Sequence, residues 1–205
     1  AVTTSSDATV VKLNKITSKT SGLVTATTLE TETIDKFVSS TGALLIESGN
    51  KINVDLDGNA KASELITLDA ATTGVITIQD DPITITGSLA ELKTVFATAS
   101  STAGVATGAH TITGIDDAAI TLTDSGTIQA SDVIIVDAFT TGDLSIPTTV
   151  TTIEGNFADV DKVVAMDGGT GVATGTIVNR NPDAGTPPAY IATAINITDS
   201  VTVEQ

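Results

Sequence analysis

Apolar and polar positions alternate in short bursts along the chain, and each burst is followed by a longer apolar stretch. ITLTD, Ile120 to Asp124, alternates apolar residues with Thr. Period two marks a strand with one wet face. VTTIEG, Val150 to Gly155, reads as another strand. NFADVDKVVAM then changes to helical spacing, with Asn156 as the cap and Phe157, Val160, Val163 and Val164 on one face. ASDVIIVDAF places Val133, Ile134, Val136 and Ala138 on a short apolar helical face. A buried strand over DVIIV is the competing reading, because β-branched residues crowd a helix.

This pattern recurs. DATVVKLNKITSKTSG ends at Gly22, DGNAKASELITLDAATTG at Gly74 and DSGTIQASDVIIVDAFTTG at Gly142. Each begins with an Asp, at Asp7, Asp57 and Asp124, and closes on a Thr/Ser-x-Gly turn. Second halves follow, with Gly74 to Gly87 spaced like Gly142 to Gly155. Leu89, Ala90, Leu92 and Val95 then match Phe157, Ala158, Val160 and Val163, and GVATG occurs at 104–108 and at 171–175. The first copy is shorter but keeps IDKFV at 34–38.

Three diverged units are therefore expected: residues 1–55, 56–122 and 123–197, with a Pro-rich insertion at 179–190 holding Pro182, Pro187 and Pro188. Residues 198–205 read as the start of a fourth unit, since INITDSVTVEQ resembles AVTTSSDATVV. The expected fold is β-rich with short helices, a solenoid-like array of strand-turn-helix units. A row of small β-sandwich modules is the alternative. Gly74, Gly87, Gly142 and Gly155 are expected to be turn residues at positive φ.

Composition narrows the chemistry. Aromatics are 2% of 205 residues, so the core must be Val, Ile, Leu and Ala; Thr, the commonest residue, suits strands. The net charge of −16, with 25 acidic against 9 basic residues, argues against nucleic acid and anionic lipid. It suits a self-repelling secreted protein, or one that binds a divalent cation. There is no Cys, hence no disulfide and no thiolate metal site. No signal peptide is visible at Ala1, and no apolar run reaches the ~20 residues of a membrane span, so no membrane insertion is expected.

The run from Asp124 to Gly142, followed by TTIEGNFADV, resembles tandem repeats of very large cyanobacterial cell-surface proteins and related phage structural proteins. The family pattern of a TD strand end, A-S-x-L-x-x-I-D and T-T-G is met by Asp124, Ala130, Ser131, Asp137, Thr141 and Gly142. Its second part is met by Thr152, Ile153, Gly155, Ala158 and Asp159. Asp57, Ala62, Ser63, Leu65, Leu68, Asp69, Thr73, Gly74 and Gly87 match in the preceding copy. The resemblance implies an extended, secreted, non-catalytic role and carries no catalytic residue.

Candidate chemistry is sparse. His110 is the only His, and no nucleophile elbow precedes any Ser, so no catalytic triad and no enzyme is expected. Asp55, Asp57 and Asn59 outline a calcium loop, but Ala60 and Ile66 stand where an EF-hand requires Gly and Glu. Asp116, Asp117 and Asp167 are further weak calcium candidates. Acidic pairs without aromatic platforms do not suggest a glycosidase. GTGVATG at 169–175 lacks the Lys of a phosphate loop. The Asn196-Ile197-Thr198 sequon sits in a repeat strand and reads as coincidence.

The expected function is a structural repeat segment of an extracellular or cell-surface filament or surface-layer-type protein, paired head to tail with itself or with adjacent repeats. A phage virion fibre or capsid appendage, and an adhesive module for a glycan or host protein, are the alternatives.

Overall fold

The computed structural model describes residues 2–3, 9–27, 33–37, 51–79, 83–98, 112–166 and 194–198. The fold is mixed α/β, with short helices and three sheets. Every strand pair among these residues is parallel. Sandwich modules are built from antiparallel sheets, so that alternative finds no support in the described pairs.

The first sheet runs β1 (Val2–Thr3), β2 (Val24–Thr27), β3 (Lys51–Leu56), β5 (Ile76–Ile78) and β7 (Ile112–Thr113). The second runs β4 (Ala60–Lys61), β6 (Thr84–Gly87), β8 (Ala119–Leu122) and β10 (Leu144–Ser145). The third is β9 (Gly126–Gln129), β11 (Val150–Gly155) and β12 (Ala194–Ile197). Thus β6 and β8 are direct neighbours, with Ile85 opposite Ile120, whereas β11 belongs to a different sheet.

Three helices of eight residues each are α1 (Val10–Thr17), α2 (Ala62–Asp69) and α4 (Ala130–Asp137). Each ends five residues before the Gly of its Thr-x-Gly turn, at Gly22, Gly74 and Gly142. The apolar stretch at 133–136 is therefore helix, not buried strand. Burial of Leu13, Leu65 and Val133 at the same helical position explains why β-branched residues are tolerated there: tertiary packing outweighs propensity. The longer helices α3 (Leu89–Thr98) and α5 (Phe157–Met166) begin 68 residues apart, as do α2 and α4. Consecutive helices α2, α3, α4 and α5 pack side by side.

The core is a continuous band of Ile, Leu, Val and Ala under these helices, with Phe37 and Phe96 its only fully buried aromatics among the described residues. Leu92 and Val95 on α3 are buried three residues apart. Val160 and Val163 on α5 repeat the spacing, and so do Ile34 and Phe37 around a 3-10 turn at Ile34–Lys36. The expected apolar face of α5 is only half realised. Val160 and Val163 are buried, but Phe157 and Val164 are exposed.

The glycines also differ from expectation. Positive φ occurs at Gly58, Gly114 and Gly126. Gly74 and Gly142 are required for a different reason, since the preceding strand passes directly over them. A Cβ at Gly74 would lie 2.1 Å from the Ile52 carbonyl oxygen, and one at Gly142 2.4 Å from that of Ala118. At Gly87 a Cβ would meet Ala62 Cβ at 2.6 Å, and at Gly155 it would meet Ala130 Cβ at 3.1 Å. These approaches also align the two segments. Gly74 lies over Ile52 and Gly142 over Ala118, so Val54 corresponds to Ile120. The turn ending at Gly126 is two residues longer than the one ending at Gly58.

Candidate functional site

Several polar side chains that sit between neighbouring strands share one task. They satisfy backbone groups of an adjacent turn. In the Thr-x-Gly motif, Thr72 Oγ1 accepts the Gly74 N–H at 2.9 Å and the Ile52 N–H at 2.9 Å, and donates to the Ile52 carbonyl at 2.7 Å. Thr140 accepts from Gly142 N at 3.0 Å and donates to Ala118 O at 2.6 Å. Thr20 accepts from Gly22 N at 3.0 Å. Thr72 and Thr140 are buried, and a buried backbone group without a partner is costly, so these hydroxyls close the turns onto the preceding strand.

The same logic explains other residues that join strand to strand. Asn53 Oδ1 accepts from Val75 N at 3.0 Å, and Asp124 Oδ2 accepts from Leu89 N at 2.8 Å, the latter capping α3. Thr149 donates to Asp124 O at 3.0 Å. At the start of α5, Asn156 Oδ1 accepts from Asp159 N at 2.9 Å, which is the cap expected there.

The calcium candidates divide between separate turns. Asp55 lies on β3, opposite Thr77, and Asp57 precedes the positive-φ Gly58. Asn59 is already engaged, its Oδ1 accepting from Thr84 N at 2.8 Å. Asp116 and Asp117 precede β8, and the Asp116 carbonyl accepts from Thr141 N at 2.7 Å. Among the described residues no three His, Cys, Asp or Glu side chains converge as a metal site. Asp167 and His110 lie outside the described residues.

An open cleft of about 450 Å³ lies between the 3-10 turn and the start of α2, lined by Thr33, Asp35, Asn59, Lys61, Glu64 and Thr86 among others. Lys61 and Glu64 pair at 3.1 Å. The Thr33 hydroxyl donates to the Asp35 carboxylate and holds it below the usual carboxylate range.

Two features had no sequence expectation. Lys93 on α3 pairs with Asp132 on α4 at 2.6 Å. Asp137, at the end of α4, is 3% exposed, and its Oδ1 has no partner among the described residues. Burial pushes its carboxyl up to about 6. The helix C-terminus is a further unfavourable place for a carboxylate. The corresponding residue of α1 is Thr17, also buried.

No protein-family model, curated protein or solved structure matches the chain. Among the described residues no helix is long and apolar enough to cross a membrane.

Proposed function

We propose that this chain is a non-catalytic structural segment of an extracellular or cell-surface filament, a solenoid-like stack of coils that continues head to tail into further copies or repeats. The observation that carries this reading is how the polar side chains are used. Thr72, Thr140, Asn53, Asn59 and Asp124 each satisfy backbone groups of an adjacent turn. Groups engaged in this way hold one layer of backbone on the next, which is the work of a scaffold.

The repetition supports the same reading. Helices α1, α2 and α4 precede equivalent Thr-x-Gly turns, and α2–α3 recurs as α4–α5 at an offset of 68 residues. Stacked units each bury a face that one unit alone could not, so length is gained without a new fold. The −16 charge disfavours nucleic acid as a partner and suits a repeat that must stay soluble until it is placed.

The experiment is light scattering and electron microscopy of the purified chain, with and without residues 195–205. Growth of elongated particles with concentration, reduced by the deletion, supports the reading. A compact monomer at every concentration, indifferent to the deletion, overturns it.

A further inference from the structure

Asp137 is the last residue of α4, is buried, and leaves Oδ1 without a hydrogen-bond partner among the described residues. Its surroundings give no relief. The elements packed most closely on α4 are α3, α5, β9 and β11. Their charged side chains are Glu91 and Lys93 on α3, Asp159, Asp161 and Lys162 on α5, and Glu154 on β11. Lys93 is committed to Asp132 near the other end of α4. Glu91, Asp159 and Glu154 accept from Ser88, Asn156 and Gln129. Asp161 and Lys162 are exposed. On the side of the following turn, the charged groups among the described residues are further carboxylates, Asp116, Asp117 and Asp143. Burial alone sets the titration of Asp137, so no neighbouring charge offsets it.

The segment that leaves α4 at Asp137 is held by a few contacts. Phe139 N donates to Val136 O at 3.1 Å and Thr140 N to Asp137 O at 3.3 Å. These are the tighter, poorer bonds of a 3-10 turn. Thr141 N then reaches Asp116 O at 2.7 Å, Thr140 Oγ1 reaches Ala118 O at 2.6 Å, and Phe139 stacks on Phe96. None of these is a rung of the ladder formed by β6, β8 and β10. Fraying this last turn is the shortest route by which the Asp137 carboxyl reaches water.

We propose that residues 137–142 form a proton-controlled latch, closed on the segment Asp116–Ala118 while Asp137 is protonated and opened locally when Asp137 ionises, with the strand ladder intact. The latch does not depend on the filament reading. Its direction follows from burial. In the closed state the carboxyl is raised from 3.8 to about 6, and in the open state it returns to its ordinary value. Opening therefore becomes easier as pH rises between those values and gains nothing more above them.

The preceding unit supplies an internal control. After α2, Ala71 N donates to Leu68 O at 3.0 Å, Gly74 N to Thr72 Oγ1 at 2.9 Å, and Thr72 Oγ1 to Ile52 O at 2.7 Å. That turn has the same construction, but the carboxylate that closes its helix, Asp69, is only half-buried. Ionisation there has no comparable effect.

The test is backbone hydrogen exchange of the unaltered chain followed by NMR from pH 4 to pH 8, with rates normalised for the intrinsic pH dependence of exchange. Protection of Phe139, Thr140 and Gly142 is expected to fall on the order of fiftyfold across this range, while Ala71, Gly74 and Ile120 keep theirs. Asp137→Asn, which keeps the shape of the side chain and cannot ionise, is expected to flatten the response at 139–142. An equal loss at Ala71, Gly74 and Ile120 would show that Asp137 acts on the whole fold and would overturn the latch. Protection at 139–142 that ignores pH, or that still falls in the folded Asp137→Asn variant, would overturn it as well. The comparison of the two turns within the unaltered chain decides the matter even if that variant does not fold.

Discussion

Asp137 should make the protein less stable at neutral pH than at mild acidity. Its carboxyl is 3% exposed, has an oxygen without a described partner and sits at a helix C-terminus; burial raises it from the ordinary 3.8 to about 6. A raised carboxyl means that the folded state prefers the protonated form. Its contribution is fully present below about pH 3.8, where both states are protonated. It falls by about 1.4 kcal/mol per pH unit between there and about 6, and is lost above that. The total is about 3 kcal/mol. That is a large share of the ~5–15 kcal/mol that stabilises a typical domain. Asp137→Asn removes the titration. Its buried amide carries its own desolvation cost of about 1–3 kcal/mol, so the slope against pH is the clean readout rather than the absolute gain. Urea unfolding of both proteins from pH 4 to pH 8 measures it. The difference in stability should move in favour of the Asp137→Asn variant by about 3 kcal/mol across that range. Parallel curves would show that Asp137 is solvated or paired, and that its apparent burial misleads.

Gly74→Ala and Gly142→Ala should each destabilise by about 3 kcal/mol or more, because the new methyl collides with a strand carbonyl. Gly58→Ala meets nothing within 4 Å and should cost only the left-handed backbone penalty, about 1–2 kcal/mol. Thermal unfolding that ranks Gly58 as the most sensitive of the three would refute the close-approach reading. Thr72→Val keeps shape but leaves the Ile52 amide and carbonyl without their side-chain partner, for a loss of about 1–3 kcal/mol in urea titration. Ca²⁺ and a chelator should leave the melting temperature unchanged, since Asn59 already holds Thr84 N and no three acidic side chains converge among the described residues; a calcium-dependent rise would support the loop at Asp55–Asn59 as a site.

Much of the local order was legible from spacing. The three Thr-x-Gly turns, the helices five residues before them and the Asn156 cap all follow from near-neighbour rules that a sequence carries within a few residues. The causes that act through space were not legible. Gly74 and Gly142 look like turn glycines, yet their constraint comes from a strand 22 to 24 residues earlier in the chain. The turn before Gly126 is two residues longer than the one before Gly58, so Asp57 and Asp124 stand at different distances from the positive-φ glycine that follows each. Phe157 and Val160 look equivalent on a helical wheel. Only the packing order of the helices separates them, leaving one exposed and one buried. Asp137 and Asp69 occupy matching positions after the same sequence pattern, and only Asp137 is fully buried.

The most direct test of the stacked-coil account exploits the lack of native cysteine. Thr86, Thr121 and Ser145 are register partners in three successive parallel strands, all half-buried. Adjacent strands lie roughly 4.8 Å apart, within disulfide reach, whereas two steps span roughly 9.6 Å, beyond it. Under mild oxidation the pairs Thr86→Cys with Thr121→Cys, and Thr121→Cys with Ser145→Cys, should each close an intramolecular disulfide in high yield. Thr86→Cys with Ser145→Cys should not. Crosslinking of that outer pair, or failure of both inner pairs in folded protein, would contradict the stacking order on which the structural role is built.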